Sequence, residues 1–161
     1  MILVLDSSAL ITLAKIGRLQ LLRQLAKDVV VPYAVFDEVV RRGGGRPGQT
    51  EVAQASWISR RRIRDRTAVA RLETELARGE SEAIVLAREI AADFVILDDA
   101  RARQIAELQG VRVTGLLGLL VFAKEQGLAE AVKPILDELV TAGFYVAEAI
   151  YRNVIETAGE N

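Results

Sequence analysis

Asp6 follows the apolar run Ile2-Leu3-Val4-Leu5, and the pair Asp98-Asp99 follows Phe94-Val95-Ile96-Leu97. Short apolar runs of this kind read as buried strands, and in a parallel sheet the ends of such strands lie on one edge. Carboxylates far apart in sequence would then converge. A further acid, Glu82, falls in the first turn of Glu80-Ser81-Glu82-Ala83-Ile84-Val85-Leu86-Ala87, a helix apolar nearly all round, where an unpaired carboxylate is costly to bury. Another lies on the flank of the helical stripe Val35, Phe36, Val39 and Val40, and spacing leaves Asp37 and Glu38 as alternatives for it. Gathered acids repel one another, so either their pKa values rise or a cation neutralises them. Mg²⁺ and Mn²⁺ take oxygen ligands, keep several waters and bind phosphate; a water they activate can attack a phosphodiester while the ion stabilises the leaving oxygen. Each acid also has a plain structural use, Asp6 as a helix cap and Asp99, Glu80 and Glu82 beside the positive end of a helix.

Subtraction narrows the chemistry. The chain has no histidine and no cysteine. Ser-His-Asp hydrolysis, histidine-based acid/base ribonuclease chemistry, thiolate nucleophiles and zinc–thiolate sites are therefore excluded. Carboxylate, hydroxyl, lysine and arginine remain, with metals that accept oxygen. The net charge is only −1, but it is unevenly spread. Arg41, Arg42, Arg46, Arg60, Arg61, Arg62, Arg64, Arg66 and Arg71 face only Glu51 and Asp65 between positions 41 and 71. A basic stripe beside an acidic site suits a polyanion held along its backbone, with Arg60, Arg61 and Arg62 as the nucleic-acid contacts. The same arginines would also serve as the solvated face of an edge strand.

The elements that must position these residues alternate. A strand at Ile2–Leu5 leads into helical segments through Leu13 and through Leu25, separated by Gly17. Val29–Val31 is the next strand, and Pro32 opens a helix. Gly43 to Gly48 is a loop, Trp57 to Ile63 a strand, and Val69 to Ala77 a helix. Next come the Glu80 helix, the strand at Phe94–Leu97, a helix stopping near Gly110, a short strand at Val111–Val113 and a helix from Leu116, with two more helices between Glu130 and Glu156. This pattern predicts one domain over residues 1–161, a three-layer α/β/α architecture around a central parallel sheet. The apolar run Leu116–Ala123 is too short to span a bilayer, and Met1 passes directly into a strand, so the reading is a cytoplasmic protein with no membrane association.

Together, Leu5-Asp6-Ser7-Ser8-Ala9-Leu10-Ile11, Glu38, Gly79-Glu80-Ser81-Glu82-Ala83-Ile84 and Ile96-Leu97-Asp98-Asp99 followed by Arg101 resemble the PIN-domain family. Gly115-Leu116-Leu117-Gly118-Leu119-Leu120 with Ala142-Gly143-Phe144-Tyr145 resembles, within it, a subgroup formerly catalogued as a domain of unknown function and related to VapC-type toxins. The resemblance implies a metal-dependent ribonuclease that hydrolyses RNA phosphodiester bonds, with Mg²⁺ or Mn²⁺ as cofactor. It places Asp6, Glu38, Glu82 and Asp99 in the catalytic quartet and Asp98 as an auxiliary metal-binding acid beside Asp6, Glu82 and Asp99. Ser7 and Ser8 would hold a ligand or water in place. It also implies a homodimer, an antitoxin-like protein partner and a role as the toxin of a toxin–antitoxin pair. A phosphoryl-transfer receiver would carry its acidic pair after the first strand, and a haloacid-dehalogenase phosphatase would read Asp-x-Asp there. Here the first strand ends Asp6-Ser7-Ser8. The rival of a different class is a PIN-like module that binds RNA or protein without cleaving.

Overall fold

The computed structural model describes residues 1–161. Strands β1 (Ile2–Leu5), β2 (Asp28–Pro32), β3 (Ile58–Arg61), β4 (Phe94–Ile96) and β5 (Val113–Thr114) form one sheet in the order β3-β2-β1-β4-β5, every neighbouring pair parallel. Side-chain alternation then sorts the core into two layers. Leu3 and Leu5 of β1, Val29 and Val31 of β2 and Ile96 of β4 face one side, where 28 buried residues form the larger core. Val4, Val30 and Val95 face the other, against a core of 16. Because both faces are buried, these strands read as unbroken apolar runs instead of alternating ones.

The larger core is covered by α1 (Ser7–Lys15), α2 (Gln20–Leu25), α4 (Gln49–Gln54), α8 (Leu116–Glu125), α9 (Lys133–Thr141) and α10 (Glu148–Thr157). The smaller is covered by α5 (Arg66–Leu72), α6 (Arg78–Glu89) and α7 (Ala100–Leu108). The expected three-layer α/β/α arrangement is therefore observed. Helix α4 has no counterpart in the sequence reading; Gly48, at φ +95°, makes the turn before it, and Glu51 reaches back to the Gly48 amide. No helix is long and apolar enough to cross a membrane.

One local feature shapes the edge where β1, β2 and β4 end, and another fixes the chain's last residues. Helix α3 (Tyr33–Phe36) starts immediately after Pro32 and continues as a π-helix over Asp37–Arg41, closed by the Arg42 amide donating to the Asp37 carbonyl at 2.8 Å. Wide turns of this kind insert a residue into the helical register and are frequent at functional sites. At the opposite end of the chain, Glu160 accepts from the Lys124 ammonium and from the Val132 and Lys133 amides, latching the last residues onto α8 and the start of α9. These hydrogen bonds hold its carboxyl down at about 2.

Candidate active site

The parallel sheet brings Asp6, Asp98 and Asp99 to its carboxyl edge, as the strand ends require. Asp6 and Asp99 each cap a helix: one Asp6 oxygen accepts from the Ala9 amide at 3.0 Å, and one Asp99 oxygen from the Ala102 amide at 2.8 Å. The structural use of these acids and a chemical one are compatible. A carboxylate has two oxygens and several lone pairs, so capping leaves acceptor capacity at each residue. Asp98 is bound twice, by the Leu116 amide at 3.2 Å and by the Ser8 hydroxyl at 3.3 Å. Arg103 clamps the turn from below, donating to the Leu97 and Asp98 carbonyls.

Glu38 and Asp37 separate in the structure. Ser7 donates its hydroxyl to the Glu38 carboxylate at 2.7 Å, whereas Asp37 pairs with Arg41 through a buried oxygen that has no hydrogen bond. Helix α6 approaches the same place. A side chain at Gly79 would stand 3.5 Å from a Glu38 oxygen and 3.7 Å from the Ser7 hydroxyl, so glycine lets the helix end come close.

Charge interactions show which acids share the space. Asp6 is buried, and its carboxyl is pushed up to about 7, first by loss of water and then by repulsion from Asp98, Glu80 and Glu38; the Ala9 hydrogen bond opposes the rise. Glu80 is likewise raised, by burial and then by Asp99 and Glu38, against its bond from the Ala77 amide. Burial also raises Asp98, despite its bonds from Leu116 and Ser8 and the nearby Arg103. Asp6, Glu38, Glu80, Asp98 and Asp99 thus form one repelling neighbourhood at the edge of the sheet.

Glu82 has a different set of partners. Two residues along a helix is a turn of about 200°, so Glu80 and Glu82 occupy opposite sides of α6. Glu82 is buried, with Arg78 at 2.8 Å and Arg66 at 3.4 Å, and it ties the start of α5 to α6. The burial that marked it in the sequence is satisfied by arginines. Glu82→Gln is therefore expected to lower stability by about 1–3 kcal/mol, the cost of a lost charge-assisted bond at a buried group, with cleavage per folded molecule retained. Glu80→Gln is expected to do the reverse. Melting curves and initial rates on the two variants check this; a Glu82→Gln protein that folds normally and is inactive would restore Glu82 to the chemistry.

The expected metal cluster is also modified. No three acidic side chains converge closely enough to hold one ion between them as they stand. Glu38 is engaged by Ser7, Asp98 by the Leu116 amide and Glu82 by two arginines. The donor chemistry nevertheless suits a hard divalent cation, because every side chain in the neighbourhood offers oxygen and their mutual repulsion disfavours leaving the charge uncompensated.

Among the arginines at the end of the edge strand, Arg60 lies 4.1 Å from the Phe36 ring centre and Arg62 lies 5.3 Å from that of Tyr33. Arg61 and Arg62 also line, with Asp28, Ser59, Arg64 and Glu89, a cavity of about 380 Å³. On the far side of the acids, a groove of about 400 Å³ runs from Asp98 past Leu117 and Phe144 to Tyr145 and Ile150, the last two largely exposed.

Comparison with known proteins bears on the fold and the family. A PilT N-terminus domain protein from the archaeon Sulfolobus solfataricus has a similar structure, with a TM-score of 0.50 and 19% identity over 76% of this chain and 93% of that one; at that identity the likeness concerns the fold. No curated protein matches the chain. A family model described as PIN domain matches residues 2–160, which span the strands, the acids and the terminal helices alike, and the chain therefore belongs to the PIN-domain family, whose members are generally nucleases.

Proposed function

We propose that the protein is a Mg²⁺- or Mn²⁺-dependent ribonuclease that hydrolyses RNA phosphodiester bonds at the edge where β1 and β4 end. The observation that carries this reading is the mutual repulsion of Asp6, Glu80, Asp98, Asp99 and Glu38 around a buried Asp6 whose carboxyl is raised to about 7. Carboxyl groups of this kind are placed against their own stability, and perturbed acids at a strand edge are the mark of a working site.

In this reading Asp6, Asp98, Asp99 and Glu80 are the residues that would hold the cation. When bound, it supplies a nucleophilic water and neutralises charge on the phosphate. Ser7 fixes Glu38 and Ser8 fixes Asp98, so each hydroxyl orients an acid and limits its rotation. Arg60 and Arg62 lie on the same edge and neutralise the phosphates of the approaching strand. The Arg103 clamp keeps the Asp98-Asp99 turn in place while the substrate is exchanged.

An antitoxin-like partner, a homodimer and a toxin role are implied by the resemblance, and exposed Tyr145 and Ile150 offer apolar surface for a protein contact. The second reading, a binding module that no longer cleaves, draws on the failure of three acids to close round one point. One assay separates the two. The purified protein, incubated with a mixed panel of structured and unstructured RNAs, is expected to cleave with Mn²⁺ and to stop on addition of chelator. Binding without cleavage across the panel would establish the silent module.

A further inference from the structure

The edge strand offers more than positive charge. Arg60 lies flat against Phe36 at 4.1 Å and within 5.9 Å of Tyr33, and Arg62 lies 5.3 Å from Tyr33. Both rings are half-buried and both guanidinium groups exposed. Neither arginine has an ion-pair partner, and of the chain's unpaired arginines these two are the ones that lie over aromatic rings. An arginine used only to shield an open strand edge would need no aromatic support.

Position adds to this. Register places Arg60 opposite Val31 and Arg61 opposite Pro32, at the carboxyl end of β3, and Tyr33 and Phe36 begin the helix that carries Glu38. Two strand spacings, about 10 Å, separate β3 from β1 and Asp6. We propose that Tyr33, Phe36, Arg60 and Arg62 form a stacking shelf for the unpaired bases of single-stranded RNA, beside the scissile phosphate. The inference rests on the ribonuclease reading and adds to it a base-binding subsite on named residues.

The physical case is that guanidinium planes and aromatic rings both stack on nucleobases, and only unpaired bases present their faces. A duplex would offer this surface phosphates alone. The shelf consequently selects strand state and not sequence, since every base has a face to stack. Rings backing the arginines also hold the cations in one orientation, so less side-chain freedom is lost when a base arrives.

The test measures binding by fluorescence anisotropy in chelator, so that nothing is cleaved. The probes are a short unstructured oligoribonucleotide, the same strand with abasic sites at its centre, and a perfect RNA duplex. The parent is expected to bind the intact strand about tenfold tighter than the abasic strand. Tyr33→Ala and Phe36→Leu should each bring the intact strand toward the abasic value and leave the abasic affinity unchanged. Because Phe36 packs against the core, Arg60→Lys supplies an independent variant. It keeps the charge and should keep the salt dependence, yet lose the preference for bases over abasic sites. Equal affinity of the parent for intact and abasic strands, or for intact strand and duplex, would overturn the shelf. So would an equal loss on both strands in the variants, which would mean that the rings only position phosphate contacts. If the parent cleaves RNA but shows no base-dependent binding, the shelf falls and the ribonuclease reading stands. If it neither binds nor cleaves, both fall.

Discussion

Asp6→Asn is expected to lower RNA cleavage by at least about 10²-fold, on the scale of losing a group that stabilises transition-state charge, and to make the metal-free protein more stable at pH 8. The two effects have one cause. Asparagine caps a helix as well as aspartate does, so the bond from the Ala9 amide survives the change. The variant loses a buried carboxylate repelled by Asp98, Glu80 and Glu38. With its carboxyl at about 7 in the fold and near 3.9 in the unfolded chain, the folded state holds the proton more tightly. Stability therefore falls as pH rises from about 4 to about 7 and is level above that. At about 1.4 kcal/mol for each pH unit the penalty reaches at most about 4 kcal/mol. The parent should gain stability on acidification through this window, and Asp6→Asn should lose that dependence. Chemical denaturation of both proteins between pH 5 and pH 8 reads it directly, together with cleavage rates at pH 8. A variant less stable than the parent at pH 8 would show that the Asp6 carboxylate is a net structural asset.

Mn²⁺ is expected to reverse the same repulsion by binding it. An ion that binds only the folded state stabilises by RT ln(1 + [L]/Kd), about 2.7 kcal/mol at a hundredfold excess over Kd. For a chain of this length that corresponds to a rise of roughly 5–10 °C in Tm. The pH dependence described for Asp6 should flatten when the ion is present, because a coordinated carboxylate no longer needs a proton. Asp6→Asn and Asp99→Asn should each blunt the rise, and Glu82→Gln should not. The comparison among variants matters more than the size of the shift, since divalent cations also bind acidic surfaces loosely. A parent Tm indifferent to millimolar Mn²⁺, or a rise equally large in Asp6→Asn, would place the ion elsewhere or remove it.

The sheet and the strand-end acids were legible in the sequence because a doubly covered parallel strand is written as an unbroken apolar run. Residues just beyond such a run must then lie at the edge of the sheet. Asp6 and Asp98-Asp99 are placed by that rule alone. Side-chain direction was not legible where the rule gives only position. Glu82 drew notice because burying a lone carboxylate is costly, yet Arg78 stands one helical turn before it, at the spacing of an ion pair. That spacing was the available signal for the ion pair, and a turn of about 200° puts Glu80 on the other side of the helix. The choice between Asp37 and Glu38 depends on a π-helical turn, for which the local sequence carries no signature; with an α-helical register the two acids would be rotated differently against Ser7. The aromatic neighbours of Arg60 and Arg62 were not legible either, because a charge count says nothing of what packs beneath each guanidinium.

The order β3-β2-β1-β4-β5 places the first strand made at the middle of the finished sheet. During synthesis, β1 and β2 can pair as soon as Pro32 has emerged, but the other edge of β1 waits for Phe94. At roughly 5–20 residues per second, that interval lasts several seconds. Until it closes, Leu3, Val4 and Leu5 present open backbone and apolar side chains, the combination that invites pairing with another chain. The same delayed closure unites Asp6 with Asp98, so a half-made chain holds no assembled acidic edge. Any chemistry at this edge begins only after Asp98 and Asp99 have left the ribosome.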